Sequence, residues 1–374
     1  MDGETRTYLA GSPSGALQRR TALIALGALE VLVRITHSGV CGTDVHDRTA
    51  SCGLGHEGVG VVHRVGSEVT AVQVGQRVGL TFQTHACGSC PECIAGYRQY
   101  CHKSVGQKYG AEEHGTFCDY AVRHQDFVNP IPDGLPSNFA APLVCAGITV
   151  YEALRAADVT ASDRVGVVGL GGLGHFAVLY AKAMGCAVSV FSASDTKRAD
   201  ALAMGASAFH VLNTTTTAGA AGTPPPLALD VSSKVDVLLL CGGAVTDFGV
   251  YVAPFFARSP LQPVLVRRTM LTNSLLPLLA RRARVVPVVI QTKDITVPYM
   301  PFILPGMKII FSLGATRQNE QDALKFAARH NIRPWIQEYP MSEEGLTEAF
   351  VRLADGTMRY RAVLSKELGN AFSA

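Results

Sequence analysis

The feature that most constrains the fold is a glycine-rich turn between an apolar segment and one with helical spacing. Residues 164–168 are apolar after the first position and lead directly into Gly169-Leu-Gly-Gly-Leu-Gly174, and residues 175–185 follow at helical spacing. A strand, a GxGxxG loop and a helix in this order predict the start of a doubly wound parallel sheet. Gly169 permits the tight turn, Gly171 lets the backbone approach a diphosphate, and Gly174 lets the helix pack on the strand. Farther along, residues 275–280 predict a helix and residues 285–290 a strand.

The next predicted strand, residues 187–191, carries information about the dinucleotide. An acidic residue at its end would bind the ribose hydroxyls of NAD, but this chain has Ser192 there. Small hydroxyls followed by two cations suit a 2′-phosphate, so NADP(H) is favoured over NAD(H). Asp195 is close enough to bind the ribose instead, and the cations are also compatible with a solvated helix face. The predicted dinucleotide site comprises Gly169, Gly171, Gly172, Leu173, Gly174, Ser192, Ser194, Lys197 and Arg198.

Four cysteines lie close together in the first third of the chain. They are Cys87, Cys90, Cys93 and Cys101. Cys-x2-Cys-x2-Cys spacing is poor for disulfides but lets four thiolates surround one tetrahedral zinc ion. Because four protein ligands leave no open position, we predict a structural zinc. A disulfide-linked or merely cysteine-rich loop is the alternative.

A second group of candidate ligands lies nearer the N-terminus. Cys41-Gly-Thr-Asp-Val-His46 is followed by Gly55-His56-Glu57. Thiolate and imidazole are ligands that zinc prefers, but two of them do not complete a site. Farther on, Cys145 stands alone among small and apolar residues, where a buried structural thiol is the simplest interpretation. Short, glycine-punctuated strand patterns around this group predict a barrel-like or sandwich-like domain.

Bulk properties exclude several classes of protein. The 374 residues are enough for two domains. The net charge is only +3, and no basic block with interleaved aromatics indicates nucleic-acid binding. We find no long uncharged apolar run and no apolar signal-peptide core, so we expect no membrane segment. With four of ten cysteines at metal spacing, we expect reduced thiols and a cytoplasmic location.

Together these motifs resemble the zinc-containing alcohol dehydrogenases of the medium-chain dehydrogenase/reductase superfamily, especially the cinnamyl and yeast alcohol dehydrogenase branch. Leu143-Val-Cys-Ala-Gly-Ile-Thr149 is a further matching motif. The resemblance implies an α/β chain with a GroES-like β-rich catalytic domain and a Rossmann doubly wound parallel-sheet domain. The implied bounds are 1–147 for the GroES-like domain (structural zinc lobe 87–101), 148–312 for the Rossmann domain and 313–374 for the C-terminal part of the catalytic domain.

The resemblance also implies roles for individual residues. A catalytic zinc would bind Cys41, His56 and Cys145, which makes two Zn²⁺ per chain with the structural ion. Glu57 would be an occasional further ligand, and Asp44 would orient His56. Thr43 and His46 match the family's proton relay, and Thr149 its nicotinamide contact. The implied reaction is hydride transfer between NADP(H) and a small alcohol–aldehyde or ketone pair, in a homodimer or homotetramer.

Three features depart from the family pattern. Residues 47–54, which include Cys52, are fewer than the family has between His46 and Gly55. Residues 257–273 resemble an insertion in the Rossmann domain, and Phe311 precedes Ser312 where relatives more often have Gly-Ser. Two alternatives stay open: a zinc-retaining C=C or imine reductase of the same superfamily, and a catalytically degenerate member with a binding role.

Overall fold

The structure, a computed structural model, describes residues 5–106, 115–212, 233–242, 275–290, 297 and 299–370. The 257–273 segment therefore lies outside the described residues. The chain divides into two compact units, one comprising Met1–Glu152 and Leu313–Ala374 and the other Ala153–Ser312. The α/β fold class is confirmed, with a β-rich unit and a parallel-sheet unit. The exact domain bounds inferred from the resemblance stay a prediction.

The N-terminal part of the first unit consists mainly of short strands. Its regular elements are β1 (Thr5–Ala10), β2 (Gln18–Leu23), β3 (Glu30–Val40), α1 (Gly42–Asp47), β4 (Glu57–Val65), β5 (Arg77–Leu80), β6 (Gln83–His85), α2 (Pro91–Ile94), β7 (Val105–Gly106), β8 (Tyr120–His124), β9 (Val128–Pro130), α3 (Ser137–Pro142) and α4 (Ile148–Ala156), whose residues from Ala153 onward belong to the second unit. Short 3₁₀ helices cover Arg98–Tyr100 and Gln125–Phe127, and a π-helical turn, Leu143–Gly147, joins α3 to α4.

The second unit alternates strands with helices, as a doubly wound sheet requires. Its described elements are β10 (Arg164–Val168), α5 (Gly174–Ala183), β11 (Ala187–Ser192), α6 (Arg198–Ala203), β12 (Ala208–Val211), β13 (Val235–Leu240), β14 (Leu279–Pro287), α7 (Tyr299–Ile303) and β15 (Lys308–Ile309). The chain then returns to the first unit with α8 (Arg317–Arg329), β16 (Ile336–Met341), α9 (Glu343–Ala354) and β17 (Arg361–Asn370).

The sheet of the first unit has β3 at its centre. The strand order is β16-β17-β3-β4-β5-β9, with β8 also paired to β3. Apolar side chains of this sheet form a core in which Val33, Ile35 and Leu80 are fully buried. The two strands nearest the centre, β3 and β4, pair antiparallel from Val31↔Val65 to Gly39↔Glu57.

The sheet of the second unit is parallel throughout its described strands, in the order β12-β11-β10-β13-β14-β15. The order reverses beside β10, the strand that leads into the glycine loop. In open α/β sheets, ligands bind at the carboxyl ends of the strands where the order reverses. The sequence prediction of a doubly wound sheet beginning at residues 164–174 is therefore confirmed.

The helix predicted over residues 275–280 is wrong. Only Leu276–Leu278 forms a 3₁₀ turn, and β14 then begins at Leu279. Pro277 lacks the N–H that a longer helix needs. The β-branched Val285 and Val286 pair with Leu238 and Leu239 of β13, which favours the strand.

One described helical stretch, Ser137–Ala156, is long and apolar enough to cross a membrane by length and composition alone. However, 72% of its apolar window is buried within the protein. Burial of this kind is typical of the core helix of a soluble protein.

The π-helical turn within that stretch packs closely on the sheet. Val144 lies against Gly79 of β5, where an added Cβ would stand 2.6 Å from Val144 Cγ1 and 3.0 Å from Ile131 Cδ1. Glycine at position 79 therefore allows the turn to approach the strand. Turns of this type insert one extra residue per helical turn and are frequent at functional sites. Cys145 is the central residue of this one.

We expect Gly79→Ala to destabilise the protein by about 1–3 kcal/mol, because the new methyl group overpacks the space held by Val144. Val144→Ala in the same chain should restore part of the loss by vacating that space. Urea unfolding of the two variants and the parent measures both effects. Equal unfolding midpoints for Gly79→Ala and the parent would contradict the close packing. Gly75→Ala is unsuitable as a control, because Gly75 has a φ of +87° and alanine would be strained there. Gly134→Ala, where nothing lies within 4 Å of the added Cβ, is the matched control.

Candidate metal centres and cofactor loop

Strand pairing brings the first candidate metal ligands together. β3 ends at Val40, so Cys41 follows at the N-cap of α1, and His56 directly precedes β4. Because β3 and β4 are antiparallel, Cys41 and His56 emerge at the same end of the pair. The π-helical turn adds Cys145, whose Sγ lies 3.3 Å from His56 Nε2. Together with Glu57, the potential ligand atoms of these residues lie within 4.8 Å of one another.

Asp44 is buried and accepts three hydrogen bonds around this cluster. Its Oδ1 lies 3.0 Å from His56 Nδ1 and accepts the backbone N–H of Gly55 at 3.1 Å. Its Oδ2 accepts the backbone N–H of Cys41 at 2.8 Å. One carboxylate thus fixes the imidazole ring and both chain segments that carry the first two ligands. A carboxylate on the distal nitrogen is the usual support of a metal-binding histidine.

Glu57 is completely buried beside the cysteines. Its Oε1 accepts a hydrogen bond from Arg361 at the start of β17, and its Oε2 has no hydrogen-bond partner among the described residues. A Cβ at Gly39 would stand 1.9 Å from that oxygen, so only glycine leaves room for it. Burial raises the pKa of Glu57 to about 7 although the Arg361 guanidinium opposes the shift. A buried acceptor with no partner, next to two thiols and an imidazole, fits the donor set of a zinc ion.

The pKa shifts within the cluster link cation binding to the release of protons. The hydrogen bond with Cys145 holds the pKa of Cys41 well below its usual range, with a smaller contribution from His56. The same bond raises the pKa of Cys145. Burial lowers the pKa of His56, but the Asp44 carboxylate and the Cys41 sulfur together outweigh burial, and the net shift is upward. Cys145 and His56 therefore favour holding protons where a metal would bind, and binding a cation would release them.

The four-cysteine lobe forms a separate cluster. The sulfur atoms of Cys87, Cys90, Cys93 and Cys101 lie within 4.8 Å of one another, and all four residues are free thiols rather than disulfides. The backbone N–H of Cys90 donates to Cys87 Sγ at 3.3 Å, and the N–H groups of Cys87 and Lys103 donate to Cys101 Sγ at 3.4 and 3.3 Å. Hydrogen bonds from Ser89 lower the pKa of Cys87 to about 5. Amide donors aimed at sulfur favour thiolates, so this set fits a structural zinc.

Helix α1 carries the residues matched to a proton relay. Thr43 Oγ1 lies 3.7 Å from Cys41 Sγ, so its hydroxyl is at the edge of the metal cluster. His46 is one turn farther along the same face and is exposed to solvent. The two side chains thus lie in sequence between the buried cluster and the surface of the unit.

The short segment 47–54 is attached to the N-terminal strand. Gly11 N–H donates to the carbonyl of Cys52 at 3.0 Å, Ser12 N–H to that of Arg48 at 3.1 Å, and Leu54 N–H to that of Leu9 at 2.9 Å. These backbone bonds hold the segment that leads to His56. Cys52 itself is buried and belongs to none of the groups of potential metal ligands among the described residues.

The glycine loop of the second unit has the geometry expected of a phosphate-binding turn. Gly169 has a φ of +87°, and a Cβ there would stand 2.5 Å from the Cα of Gly242. A Cβ at Gly174 would stand 1.9 Å from the carbonyl oxygen of Gly169, whereas one at Gly171 would meet nothing within 4 Å. The backbone at Gly171 is therefore open to a ligand. Gly172 follows it, and Leu173 caps α5 without a side-chain hydrogen bond, so the helix N-terminus can receive an anion.

The turn that follows β11 places one of the two predicted cations, Lys197, against this loop. Lys197 Nζ donates to the carbonyl of Leu170 at 2.9 Å. Arg198 donates from Nε to Asp195 Oδ1 at 2.7 Å, so the acidic residue that competed for the ribose is engaged in an ion pair. Ser192 is the last residue of the strand. The Ser194 hydroxyl lies 2.9 Å from that of Thr196.

Two remaining predicted residues are half-buried or exposed. Thr149 is half-buried in the first turn of α4, in the first unit. Phe311 is 70% exposed and lies at the end of the second unit.

Sequence reasoning missed Arg361 as part of the metal cluster. The available signal was a charged residue opening the otherwise apolar run Arg361-Ala-Val-Leu364.

The chain is similar in sequence to known alcohol dehydrogenases. A family model described as the alcohol dehydrogenase GroES-like domain matches residues 27–133. The NADP-dependent alcohol dehydrogenase C 1 of Mycolicibacterium smegmatis is 33% identical, covering 96% of each chain. The cinnamyl alcohol dehydrogenase 8 of Arabidopsis thaliana is 32% identical, covering 94% of this chain and 91% of its own length.

Solved structures match over almost the whole chain. A cinnamyl alcohol dehydrogenase from Sorghum bicolor superposes with a TM-score of 0.79 and 29% identity, covering 99% of this chain and 100% of that one. A Helicobacter pylori protein described as CAD complexed with NADP(H) gives a TM-score of 0.78 at 25% identity, covering 98% and 99%.

We expect Asp44→Ala to weaken metal binding at the Cys41–His56–Cys145 cluster by about 10–100-fold, because His56 loses its support and two backbone N–H groups lose their acceptor. Competition with a chromophoric chelator measures the affinity. Asp133→Ala, an exposed position in the same unit, is the control. Unchanged affinity in Asp44→Ala would contradict the role of this carboxylate.

Proposed function

The chain belongs to the zinc-containing alcohol dehydrogenases of the medium-chain dehydrogenase/reductase superfamily, and on that premise we propose that it transfers a hydride between NADP(H) and an alcohol–aldehyde or ketone pair. The observation that carries the proposal is the convergence of Cys41, His56 and Cys145, with Asp44 behind the imidazole. Intact ligands and relay residues favour this activity over a degenerate, binding-only protein.

In the proposed mechanism Cys41, His56 and Cys145 hold the catalytic zinc. When bound, zinc supplies a Lewis acid that favours the deprotonated alcohol or polarises the carbonyl. Asp44 fixes the ring of His56 through its 3.0 Å contact. Arg361 binds one oxygen of Glu57 and leaves the other as a further acceptor beside the cysteines.

Thr43 and His46 are proposed to relay the proton of the substrate hydroxyl. Thr43 would accept it at the edge of the metal cluster, where its hydroxyl is close to Cys41, and would release its own hydroxyl proton toward His46. His46 lies on the same face of α1 and is exposed, so it exchanges the proton with water. The nicotinamide supplies the hydride chemistry, and Thr149 is proposed to contact it.

NADP(H) is the proposed dinucleotide. Its diphosphate would lie against Gly171, Gly172 and Leu173, where the backbone has room and the α5 N-terminus favours an anion. Ser192, Ser194, Lys197 and Arg198 would receive the 2′-phosphate. Relatives named NADP-dependent and a neighbour complexed with NADP(H) support this preference.

The four cysteines of the lobe are proposed to hold a second, structural zinc. They supply four sulfur ligands and no open position, so the ion would stabilise the loop and take no part in chemistry.

We also propose a cytoplasmic homo-oligomer acting on a small molecule. β15 is the last strand of the described parallel sheet, and the nearby Tyr299, Ile303 and Leu304 are 74%, 50% and 58% exposed. No other strand of the described residues pairs with the outer edge of β15, and an open sheet edge beside apolar side chains suits pairing with a second copy.

Steady-state assays test the reaction type. We expect NADPH-dependent reduction of aromatic or aliphatic aldehydes, with weaker use of NADH. Reduction of an enone at its C=C bond, or of an imine, with no carbonyl reduction would instead favour the other reductase activity. Absence of NADPH binding in calorimetry would favour the binding role.

We expect Cys145→Ser to lose about one zinc per chain and to reduce turnover below detection, because one of three ligands is replaced by a poor one. Elemental analysis and aldehyde reduction measure the two effects. Cys52→Ser, at a cysteine outside both candidate ligand clusters, is the matched control and should keep both zincs. Full activity with two zincs in Cys145→Ser would contradict the metal assignment.

We expect Lys197→Ala and Arg198→Ala each to raise KM for NADPH by about tenfold, which corresponds to one charge-assisted hydrogen bond. KM for NADH should change less than about twofold, since NADH has no 2′-phosphate. Lys182→Ala, an exposed lysine on α5, controls for charge. Equal effects on both cofactors would contradict a 2′-phosphate site.

A further inference from the structure

A buried ion pair ties the four-cysteine lobe to helix α8. Arg98 lies between Cys93 and Cys101 and is only 7% exposed. Its guanidinium donates to Glu320 Oε2 at 2.5 Å, and Glu320 is 3% exposed. The amide of Asn129 donates to the same oxygen at 3.0 Å. Removing one partner of a buried pair leaves an uncompensated charge, which is strongly unfavourable.

The same end of α8 is bonded to the helix that follows Cys145. Glu152 of α4 is 6% exposed, and its Oε2 accepts the Thr316 N–H at 3.2 Å and the Asn319 amide at 2.6 Å. Thr316 is the N-cap of α8, and its hydroxyl accepts the Asn319 N–H at 3.1 Å. Cys145 and Glu152 lie on one continuous helical stretch, about 10 Å apart along its axis.

These contacts form a continuous path within the first unit. It runs from the lobe through Arg98 and Glu320 to the first turn of α8, then through Glu152 to the helix of Cys145. All of its charged side chains are at least nine-tenths buried. Water therefore does not replace a lost partner, and a displacement of one member requires the next to move or to lose a bond.

We propose that the first turn of α8 couples the metal state of the four-cysteine lobe to the position of Cys145, with Glu320 and Glu152 as positioning residues. The lobe depends on its metal for its fold, so loss of that ion would release Arg98 from its place. Glu320 would then lose its charged partner, and the N-terminus of α8 would no longer hold Glu152. The inference rests on the proposed binding of metal at both clusters.

Thiol alkylation in the zinc-loaded protein tests the coupling without substrate. The rate of iodoacetamide modification at Cys145, read by peptide mass spectrometry, reports how firmly that ligand is held. We expect Glu320→Gln and Glu152→Gln to raise the rate by about tenfold, at the lower end of losses caused by removing supporting partners of metal ligands. Asp322→Asn, a half-buried residue of the same helix whose carboxylate accepts a hydrogen bond from Gln318, is the matched control.

The path itself is tested by combining variants. Cys101→Ser should raise the rate of iodoacetamide modification at Cys145 about tenfold in the parent protein. When Glu320→Gln is already present, the same change should raise that rate less than about twofold further. The coupling would be overturned if the two variants multiplied each other's effects on the modification rate, or if Cys101→Ser left the modification rate at Cys145 unchanged. Arg98→Lys keeps the charge without the planar fork and serves in place of Cys101→Ser if that variant does not fold.

Cobalt substitution at the catalytic site gives a second readout. We expect the visible ligand-field bands of the cobalt protein to shift in Glu152→Gln and not in Asp322→Asn. Identical spectra in all three proteins would overturn a positioning role for Glu152. Neither readout uses aldehyde or NADPH, so a failure of the proposed reaction is distinguished from a failure of the coupling.

Discussion

The register of strand β3 is the constraint on which the candidate metal centre depends. β4 pairs with one edge of β3, and β8 and β17 share the other. Gly39, near the carboxyl end, lies opposite both Glu57 of β4 and Val363 of β17. One strand therefore sets the positions of the carboxylate, of the guanidinium of Arg361 and of the cysteine that follows Val40. Since side chains alternate between faces, a slip of one residue would move Glu57 away from the cysteines.

The two cysteine clusters differ in what their surroundings do to sulfur. In the lobe, backbone amides from a short, tightly turned loop donate to Cys87 and Cys101, so the chain itself supports the negative charge. At the other cluster the sulfurs lie with an imidazole and a carboxylate, each held by a buried partner. The first arrangement closes around an ion. The second combines soft and hard donors whose charges are balanced by Asp44 of α1 and Arg361 of β17.

Local sequence accounts for most of the fold class and for the candidate ligands, because their spacing reports directly on turns and strand ends. The glycine loop, for example, follows β10 where the pattern places it. Long-range pairs have no such signal: Arg361 and Glu57 are 304 positions apart, and Arg98 and Glu320 are 222 apart. The π-helical turn at Cys145 was equally invisible, since local spacing carries no signal for its close packing on Gly79. The helix expected at residues 275–280 failed because sheet pairing outweighed local propensity.

The position of β17 in the chain has a consequence for biosynthesis. The whole of the second unit, residues 153–312, is translated between Glu57 and its partner Arg361. Domains fold largely as they leave the ribosome, so the inserted unit has its strands before β17 exists. During that interval the edge of β3 from His37 to Val40 lacks the strand that covers it in the finished protein. An open edge accepts foreign strands, so the nascent chain is vulnerable to mispairing beside its own candidate metal ligands.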